Sequence, residues 1–297
     1  MIFVEQTEIT KGMSGDRKYK CTDKDGKTYL LRISEHDKYD SKKKDYEILQ
    51  QMSYAKLPVP ECISFEKKND GIYQLLSWVD GTELDKILPA LDSKQQYEIG
   101  IQAGKILARI HEVAKVDAEN KDWYERYFEV IEPRLEAYRN EGVNFEEASI
   151  ILEYIEQNKH LLIGRRQCFH HGDYHMGNLV LRENEVYVID WQTVDFDNYG
   201  DPWYEFNRLG VEYPSFASGQ IYGYFNGNVP DDFWKLFALY ISTSAITSIV
   251  WAKYYAPSEL EHILQMNRDV VMWFEKFTCL RPNWYIEEEW QEYHKIF

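Results

Sequence analysis

At 297 residues, 44% of them hydrophobic, the chain is long enough for two lobes that each bury a core. Its 50 Asp+Glu against 34 Lys+Arg give a formal net charge of −16, which argues against nucleic acid as a partner because a phosphate backbone calls for a basic footprint. The four cysteines, at 21, 62, 168 and 279, form no Cys-x-x-Cys pair, and neither a basic n-region nor an extended apolar h-region opens the chain, so a reducing cytoplasm and no membrane is the expected setting.

In chain order, Ile2–Val4 and Tyr19–Cys21 are β-prone runs flanking the small tip Thr10-Lys11-Gly12-Met13-Ser14-Gly15-Asp16. A tip of this kind lets backbone N–H groups approach phosphate, which makes Ser14 and Gly15 candidate nucleotide contacts, although most such hairpins bind nothing. Thr28–Ile33 forms the next strand, after the Asp25-Gly26 turn. In Asp45–Met52, positions 45, 48, 49 and 52 share one helical face while Glu47 points elsewhere. Leu57-Pro58-Val59-Pro60 ends that helix, and Gly71–Gly81 is an apolar strand running into a glycine turn.

Asp92-Ser93 can cap a helix carrying Ile99, Ala103, Ile106, Leu107 and Ile110 at helical spacing to His111. Residues 123 to 139 and 145 to 159 are periodic and acidic. Leu179–Leu181 and Val186–Ile189 read as a hairpin around Arg182–Glu185. Residues 231 to 256 and 258 to 278 form the last long helices; the apolar run Phe237–Trp251, studded with Ser and Thr, is short for a membrane span and predicts a buried helix. No internal repeat or low-complexity linker interrupts the chain.

The chemistry concentrates in His171-Gly172-Asp173-Tyr174-His175-Met176-Gly177-Asn178 and in Val188-Ile189-Asp190-Trp191. Asp173 and Asn178 stand five apart, the separation of base and magnesium-binding asparagine in a kinase catalytic loop. A hydroxyl attacking a triphosphate needs a carboxylate to orient it and take its proton, the role for Asp173. Magnesium takes oxygen ligands, many of them from phosphate, so Asn178 and Asp190 suffice as its protein ligands. The hairpin returns Asp190 towards Asn178. A metallohydrolase centre built from His170, His171, Asp173 and His175 is the competing reading, disfavoured because its usual His-x-His-x-Asp-His spacing is absent.

These residues resemble the aminoglycoside phosphotransferase and choline kinase superfamily of small-molecule kinases, with His-Gly-Asp in place of the protein kinases' His-Arg-Asp. Gly200-Asp201-Pro202 resembles the segment that follows the metal aspartate in that family, and Glu205 stands where an aspartate is common, an acceptor-side candidate beside Asp173. The resemblance implies an α+β, protein-kinase-like fold with a small antiparallel-sheet N-lobe (residues 1–80) that binds the nucleotide and a larger, mainly helical C-lobe (81–297). It also implies ATP or GTP as co-substrate with Mg2+, a loop over residues 10–16 closing on the nucleotide, and a hinge in which backbone groups from Ser77 to Val79 read the adenine edge.

Related kinases place a lysine where Arg32 stands and pair it with a glutamate on the following helix. Here Asp45 occupies the glutamate's place, and a longer Arg against a shorter Asp preserves the reach, with Glu47 as the alternative partner. Residues 1–80 carry 14 Lys+Arg and 14 Asp+Glu, so the whole acidic excess lies in residues 81–297. A negative lobe attracts a cationic acceptor, although acids on helix faces also serve solubility. The resemblance implies an antibiotic kinase with an aminoglycoside as the leading acceptor, and with choline or another amino alcohol, or a macrolide, as alternatives. Trp251, Tyr254, Tyr255, Trp273, Trp284 and Tyr285 supply aromatic faces for a quaternary-ammonium cage. A different class is a non-catalytic nucleotide-binding regulatory module: Arg32 and the altered segment after Gly-Asp-Pro favour it, and joint retention of Asp173, Asn178 and Asp190 opposes it.

Overall fold

The computed structural model describes residues 2–10, 15–113, 121–141, 143, 145–191 and 195–287. Five strands alternate with one helix at the start: β1 (Phe3–Ile9), β2 (Arg17–Asp23), β3 (Thr28–Ser34), α1 (Tyr39–Tyr54), β4 (Cys62–Lys68) and β5 (Gly71–Ser77). After β6 (Thr82–Glu83) and the short α2 (Leu84–Ile87) come α3 (Ser93–Val113), α4 (Trp123–Glu141), α5 (Ala148–Asn158), β7 (Cys168–Phe169), β8 (Leu179–Arg182), β9 (Glu185–Val188) and β10 (Tyr199–Gly200). Helices α6 (Pro214–Phe225), α7 (Asp231–Tyr255) and α8 (Leu260–Trp273) complete the described chain.

Backbone contacts divide the chain into two compact units. The first comprises Met1–Leu91, Ile106–Lys115 and His171–Asn198; the second comprises Asp92–Lys105, Val116–His170 and Tyr199–Phe297. The division is therefore discontinuous, where the sequence suggests a single cut after residue 80. Segment 171–198 joins the first unit because β8 pairs with β6 (Thr82 opposite Leu181, Glu83 opposite Val180) and the Val188 N–H donates to Pro58 O at 2.9 Å.

The first unit is built on an antiparallel sheet in the order β1-β2-β3-β5-β4. Strand side chains alternate between faces, and one face carries Cys21, Tyr29, Leu31, Ile33 and Leu75, which form a buried apolar cluster. The opposite face carries Lys18, directly across from Arg32, with Gln74 across from Arg32 on its other side. Helix α1 buries Lys42, Asp45, Tyr46, Ile48, Leu49 and Met52 while Glu47 is exposed, as helical periodicity requires.

In the second unit, α3 begins with a reciprocal cap: Asp92 Oδ1 accepts the Gln95 N–H at 2.8 Å and Gln95 Oε1 accepts the Asp92 N–H at 3.1 Å. The N-terminal half of α3 then meets α6, a helix whose presence the sequence did not announce, through glycines on both sides. A Cβ on Gly104 would lie 2.0 Å from Gln220 O, and one on Gly223 would lie 2.2 Å from Ile101 O, so the helix backbones touch where larger residues would separate them. Helix α7 packs against α4, α5 and α8. By length and composition it could cross a membrane, being longer than its apolar run suggests, but 67% of its apolar window is buried inside the protein. Several of its hydroxyls are satisfied locally: Thr247 donates to Thr243 O at 2.8 Å and Ser248 to Ala245 O at 2.7 Å, which lets these polar residues sit in a largely buried helix.

Candidate active site

The loop 171–178 and the hairpin β8–β9 are linked by hydrogen bonds into one frame. Asn178 Nδ2 donates to the Asp173 carboxylate at 3.1 Å and to Asp173 O at 3.0 Å, closing the five-residue loop on itself. The Ile189 N–H donates to Asn178 O at 3.0 Å, placing Asp190 immediately beyond Asn178. Glu183, at φ 58°, makes the tight turn that folds the hairpin back, with Arg182 opposite Glu185. His171 clamps both ends: its Nδ1 accepts the Asp173 N–H at 3.3 Å, so its Nε2 carries the proton and donates to Ile189 O at 2.9 Å. His175 Nδ1 accepts the Gly177 N–H at 3.0 Å, and its Nε2 lies 3.4 Å from Asp173 Oδ2.

Asp190 itself sits in the left-handed region, at φ 62°. A non-glycine residue held there is uncommon, although aspartate tolerates it better than most, and such strain concentrates at functional sites. Its side chain is 26% exposed, as is that of Asp173, so both carboxylates are partly open to a ligand. With Asn178 Nδ2 committed to Asp173, the Asn178 Oδ1 is the amide atom available to a cation. Asn178 and Asp190 thus offer hard oxygen donors of the kind magnesium accepts when phosphate supplies the others. By contrast, no group of three or more His, Cys, Asp or Glu side chains among the described residues is arranged to hold a metal ion. The histidine-centred reading falls with that observation; His170 Nε2 lies instead 2.8 Å from Asp201 O.

Around Asp190 lies a cluster of cations that spacing alone did not announce. Arg32, with its side chain 2% exposed, directs Nη2 to Asp190 Oδ1 at 3.1 Å, Nη1 to Trp191 O at 3.2 Å and Nε to Asp16 Oδ2 at 3.4 Å. Lys42 Nζ reaches Asp16 Oδ2 at 2.8 Å, Lys38 Nζ reaches Asp16 Oδ1 at 3.5 Å, and Lys18 Nζ stands 3.7 Å from Asp190 Oδ1. Burial pushes the Asp16 carboxyl up, but Lys42, Arg32 and Ser34 outweigh it and hold the group below its ordinary value of 3.8. Burial dominates at Lys18 and lowers its ammonium pKa, with Asp190 opposing.

The model of the phosphotransferase enzyme family matches residues 5–232. The chain belongs to that family. No curated protein matches its sequence. Among solved structures it is similar to a thermostable mutant of aminoglycoside phosphotransferase APH(4)-Ia, in ternary complex with AMP-PNP and hygromycin B, at TM-score 0.67 and 15% identity, with 93% of this chain and 95% of that one covered. A choline/ethanolamine kinase family protein from Mesorhizobium loti gives TM-score 0.66 at 12% identity, covering 93% and 91%. Amicoumacin kinase hAmiN, in complex with AMP-PNP, Ca2+ and Ami, gives 0.59 at 14%, covering 96% and 91%. The phosphotransferase is an α+β protein with the fold of these small-molecule kinases.

Several expectations about this phosphotransferase change with the geometry. Arg32, expected to pair with Asp45, forms ion pairs with Asp16 and Asp190. Asp45 lies on the buried face of α1, and Lys42, one turn earlier on that face, enters the cluster through Asp16. Glu47 points to solvent and pairs with Lys43 at 3.7 Å, which removes it as the alternative. At the hinge, the Ser77 N–H donates to Glu61 O at 2.9 Å and the Trp78 N–H to Thr28 O at 3.2 Å, so Ser77 is occupied by the sheet. Val79 is the hinge position outside those bonds. A cavity of about 570 Å³ runs along the hinge between Thr28, Val59, Val79 and Tyr187, but Asp173, Asn178, Asp190 and Arg32 do not line it, so the chemistry lies elsewhere.

Gly15 is described, whereas Ser14 lies outside the described residues. Glu205 is 3% exposed and close enough to Cys168 and Tyr224 to contribute to raising both, after burial, so it presents no carboxylate to an acceptor. The Gly-Asp-Pro segment is structural: the fully buried Asp201 accepts from Arg165 Nε at 2.6 Å and Nη2 at 3.0 Å, from Tyr240 Oη at 2.8 Å and from the Trp203 N–H at 2.9 Å. The six aromatics do not make one cage. Trp284 packs on Phe237 and Trp273, and Tyr285 on Trp234, whereas Trp251, Tyr254 and Tyr255 are exposed near the other end of α7, roughly 25 Å along the helix axis at 1.5 Å per residue.

Proposed function

We propose that this phosphotransferase moves the γ-phosphate of ATP or GTP to a hydroxyl of a small cationic acceptor, an aminoglycoside being the first class to test, in the cytoplasm. The reading is carried by one observation: the Asp173 carboxylate is held by Asn178 Nδ2 at 3.1 Å, while Asn178 O accepts the amide next to Asp190. The proposed base and the proposed metal-binding oxygens are therefore joined by one short run of hydrogen bonds. Asp173 orients the acceptor hydroxyl and takes its proton as the new O–P bond forms and the bond to the β-phosphate oxygen breaks, releasing nucleoside diphosphate. Asn178 and Asp190 would hold magnesium when the nucleotide binds, and the ion would supply neutralisation of charge on the phosphate oxygens. Val79 offers backbone groups to the adenine edge, and Gly15 stands at the end of the loop that would cover the phosphates.

The acidic excess confined to residues 81–297 supports a cationic acceptor, as does the binding of hygromycin B by the similar APH(4)-Ia. Choline and other amino alcohols are kept in view by the similarity to the choline/ethanolamine kinase family protein. The four free cysteines suit a reducing compartment. A non-catalytic nucleotide-binding role has no use for Asp173, whose carboxylate is held in place and partly exposed.

The test is nucleotide consumption with Mg2+ against a panel of aminoglycosides, amino alcohols and macrolides, using ATP and GTP. One acceptor should stimulate turnover, and Asp173→Asn should then reduce kcat by about 10²-fold or more with nucleotide affinity largely kept. Near-normal turnover in Asp173→Asn would falsify the base assignment, and no stimulation by any cationic acceptor would remove the acceptor class.

A further inference from the structure

Arg32 occupies the strand position at which related kinases carry a lysine, yet its geometry is that of a bracket. Nε, Nη1 and Nη2 face Asp16, Trp191 O and Asp190 respectively, and only 2% of the side chain is exposed. A planar guanidinium suits this task, because its fork addresses separate partners in fixed directions. Lys42 and Lys38 both converge on Asp16, at 2.8 Å and 3.5 Å. Lys18 differs from all three. It stands across from Arg32 in the β2–β3 register, on the same face of the sheet, and its Nζ approaches the same Asp190 oxygen only to 3.7 Å, outside hydrogen-bond range. Its ammonium is a point charge with three donors on a four-carbon stem, 10% exposed, standing beside the carboxylate assigned to the metal–phosphate group without a hydrogen bond to it.

We propose that Lys18, on β2, is the lysine that holds the nucleotide's phosphates, and that Arg32 serves as the bracket fixing Asp190 and Asp16 around it. This rests on the kinase reading above and relocates the phosphate-binding lysine from β3 to the neighbouring strand. The relocation is sterically simple. Residues directly opposite on antiparallel strands have Cβ atoms about 4.5–5.5 Å apart, a gap that a four-carbon side chain spans, so an ammonium from position 18 covers the space served by one from position 32. Arg32 and Lys18 then divide what one lysine does elsewhere: Arg32 supplies rigidity and Lys18 supplies the phosphate contact.

The experiment titrates wild type, Lys18→Ala, Lys18→Arg and the exposed-turn control Lys24→Ala with a non-hydrolysable ATP analogue and with adenosine, with and without Mg2+. Lys18→Ala should weaken the triphosphate at least 10-fold in both conditions and leave adenosine unchanged; Lys18→Arg should recover part of the loss, and Lys24→Ala should match wild type. In parallel, an acyl-phosphate derivative of ATP labels the amine nearest the phosphates. That amine attacks the acyl carbon, an amide forms, the acyl–oxygen bond breaks with ATP leaving, and the amine's proton goes to solvent. Peptide mapping should find the label on Lys18, abolished by excess ATP. If wild type binds Mg-ATP but Lys18→Ala binds it equally well, or the label falls on Lys42 with Lys18 unmodified, the Lys18 assignment is wrong while the kinase reading stands. Wild type that binds no nucleotide at all overturns both.

Discussion

Replacing Arg32 by lysine restores the residue that kinases of this fold family usually carry, and the structure says that it should harm the protein. The guanidinium spans Asp190 at 3.1 Å, Trp191 O at 3.2 Å and Asp16 at 3.4 Å from a side chain 2% exposed. A lysine brings one head group and can serve one side of that set. Asp16 keeps Lys42 at 2.8 Å, so it is not left uncompensated, and the positive charge is retained. The penalty of about 3–5 kcal/mol for removing one partner of a buried pair is therefore not reached. What is lost is about one charge-assisted hydrogen bond, worth roughly 1.5–3 kcal/mol, so the expected destabilisation is about 2 kcal/mol. Arg32→Met, which also removes the charge, should approach the larger range. Urea unfolding followed by tryptophan fluorescence measures both, and kcat with the identified acceptor should fall in Arg32→Lys because Asp190 loses its bracket. A stability change within about 0.5 kcal/mol, or turnover raised by the lysine, would refute the bracket and make Arg32 the phosphate ligand.

Asp190→Ala should abolish the enhancement of nucleotide binding by Mg2+, whereas His170→Ala should keep it; calorimetric titration with and without the metal decides, and an unchanged magnesium effect in Asp190→Ala removes that residue from the metal site. Gly104→Ala forces a Cβ to within 2.0 Å of the Gln220 carbonyl oxygen and 2.6 Å of the Tyr224 amide nitrogen, so the helices must part. Overpacking costs about 1–3 kcal/mol, here at the upper end because backbone cannot turn aside, and alanine's better helix propensity returns roughly 1 kcal/mol, giving a net loss of about 2 kcal/mol against a near-silent Glu98→Ala. Because the Asp16 pKa is held below 3.8, its contribution to stability is present above that value and lost as pH falls through the folded pKa. Wild type should therefore exceed Asp16→Asn in urea midpoint at pH 6, with the gap closing under acid; a gap that grows as pH falls would reverse the assignment.

Local features were legible in the residues themselves because their partners are close in the chain. The Asp173–Asn178 loop, the tight hairpin to Asp190 and the Asp92–Gln95 cap each close over a few residues, so spacing and residue type determine which atoms meet. The burial of α1 likewise follows from period 3.6, which also exposes Glu47. Even Lys42 carried a signal, standing three residues before Asp45 on the same face.

Only the tertiary structure decided where Arg32 points. Its partners lie 16 positions earlier and 158 later in the chain, and strand register together with the rotation of α1 chooses among Asp16, Asp45 and Asp190, all of them carboxylates of similar reach. The same holds for Glu205, whose sequence neighbours do not reveal that the fold buries it, and for the late aromatics, which the length of α7 separates into two groups. The glycine crossing of α3 and α6 is the plainest case: a missing side chain has no pattern until a second backbone lies against it. Short-range geometry is set by covalent spacing, whereas ion-pair choice and burial depend on where distant segments come to rest, which spacing does not encode.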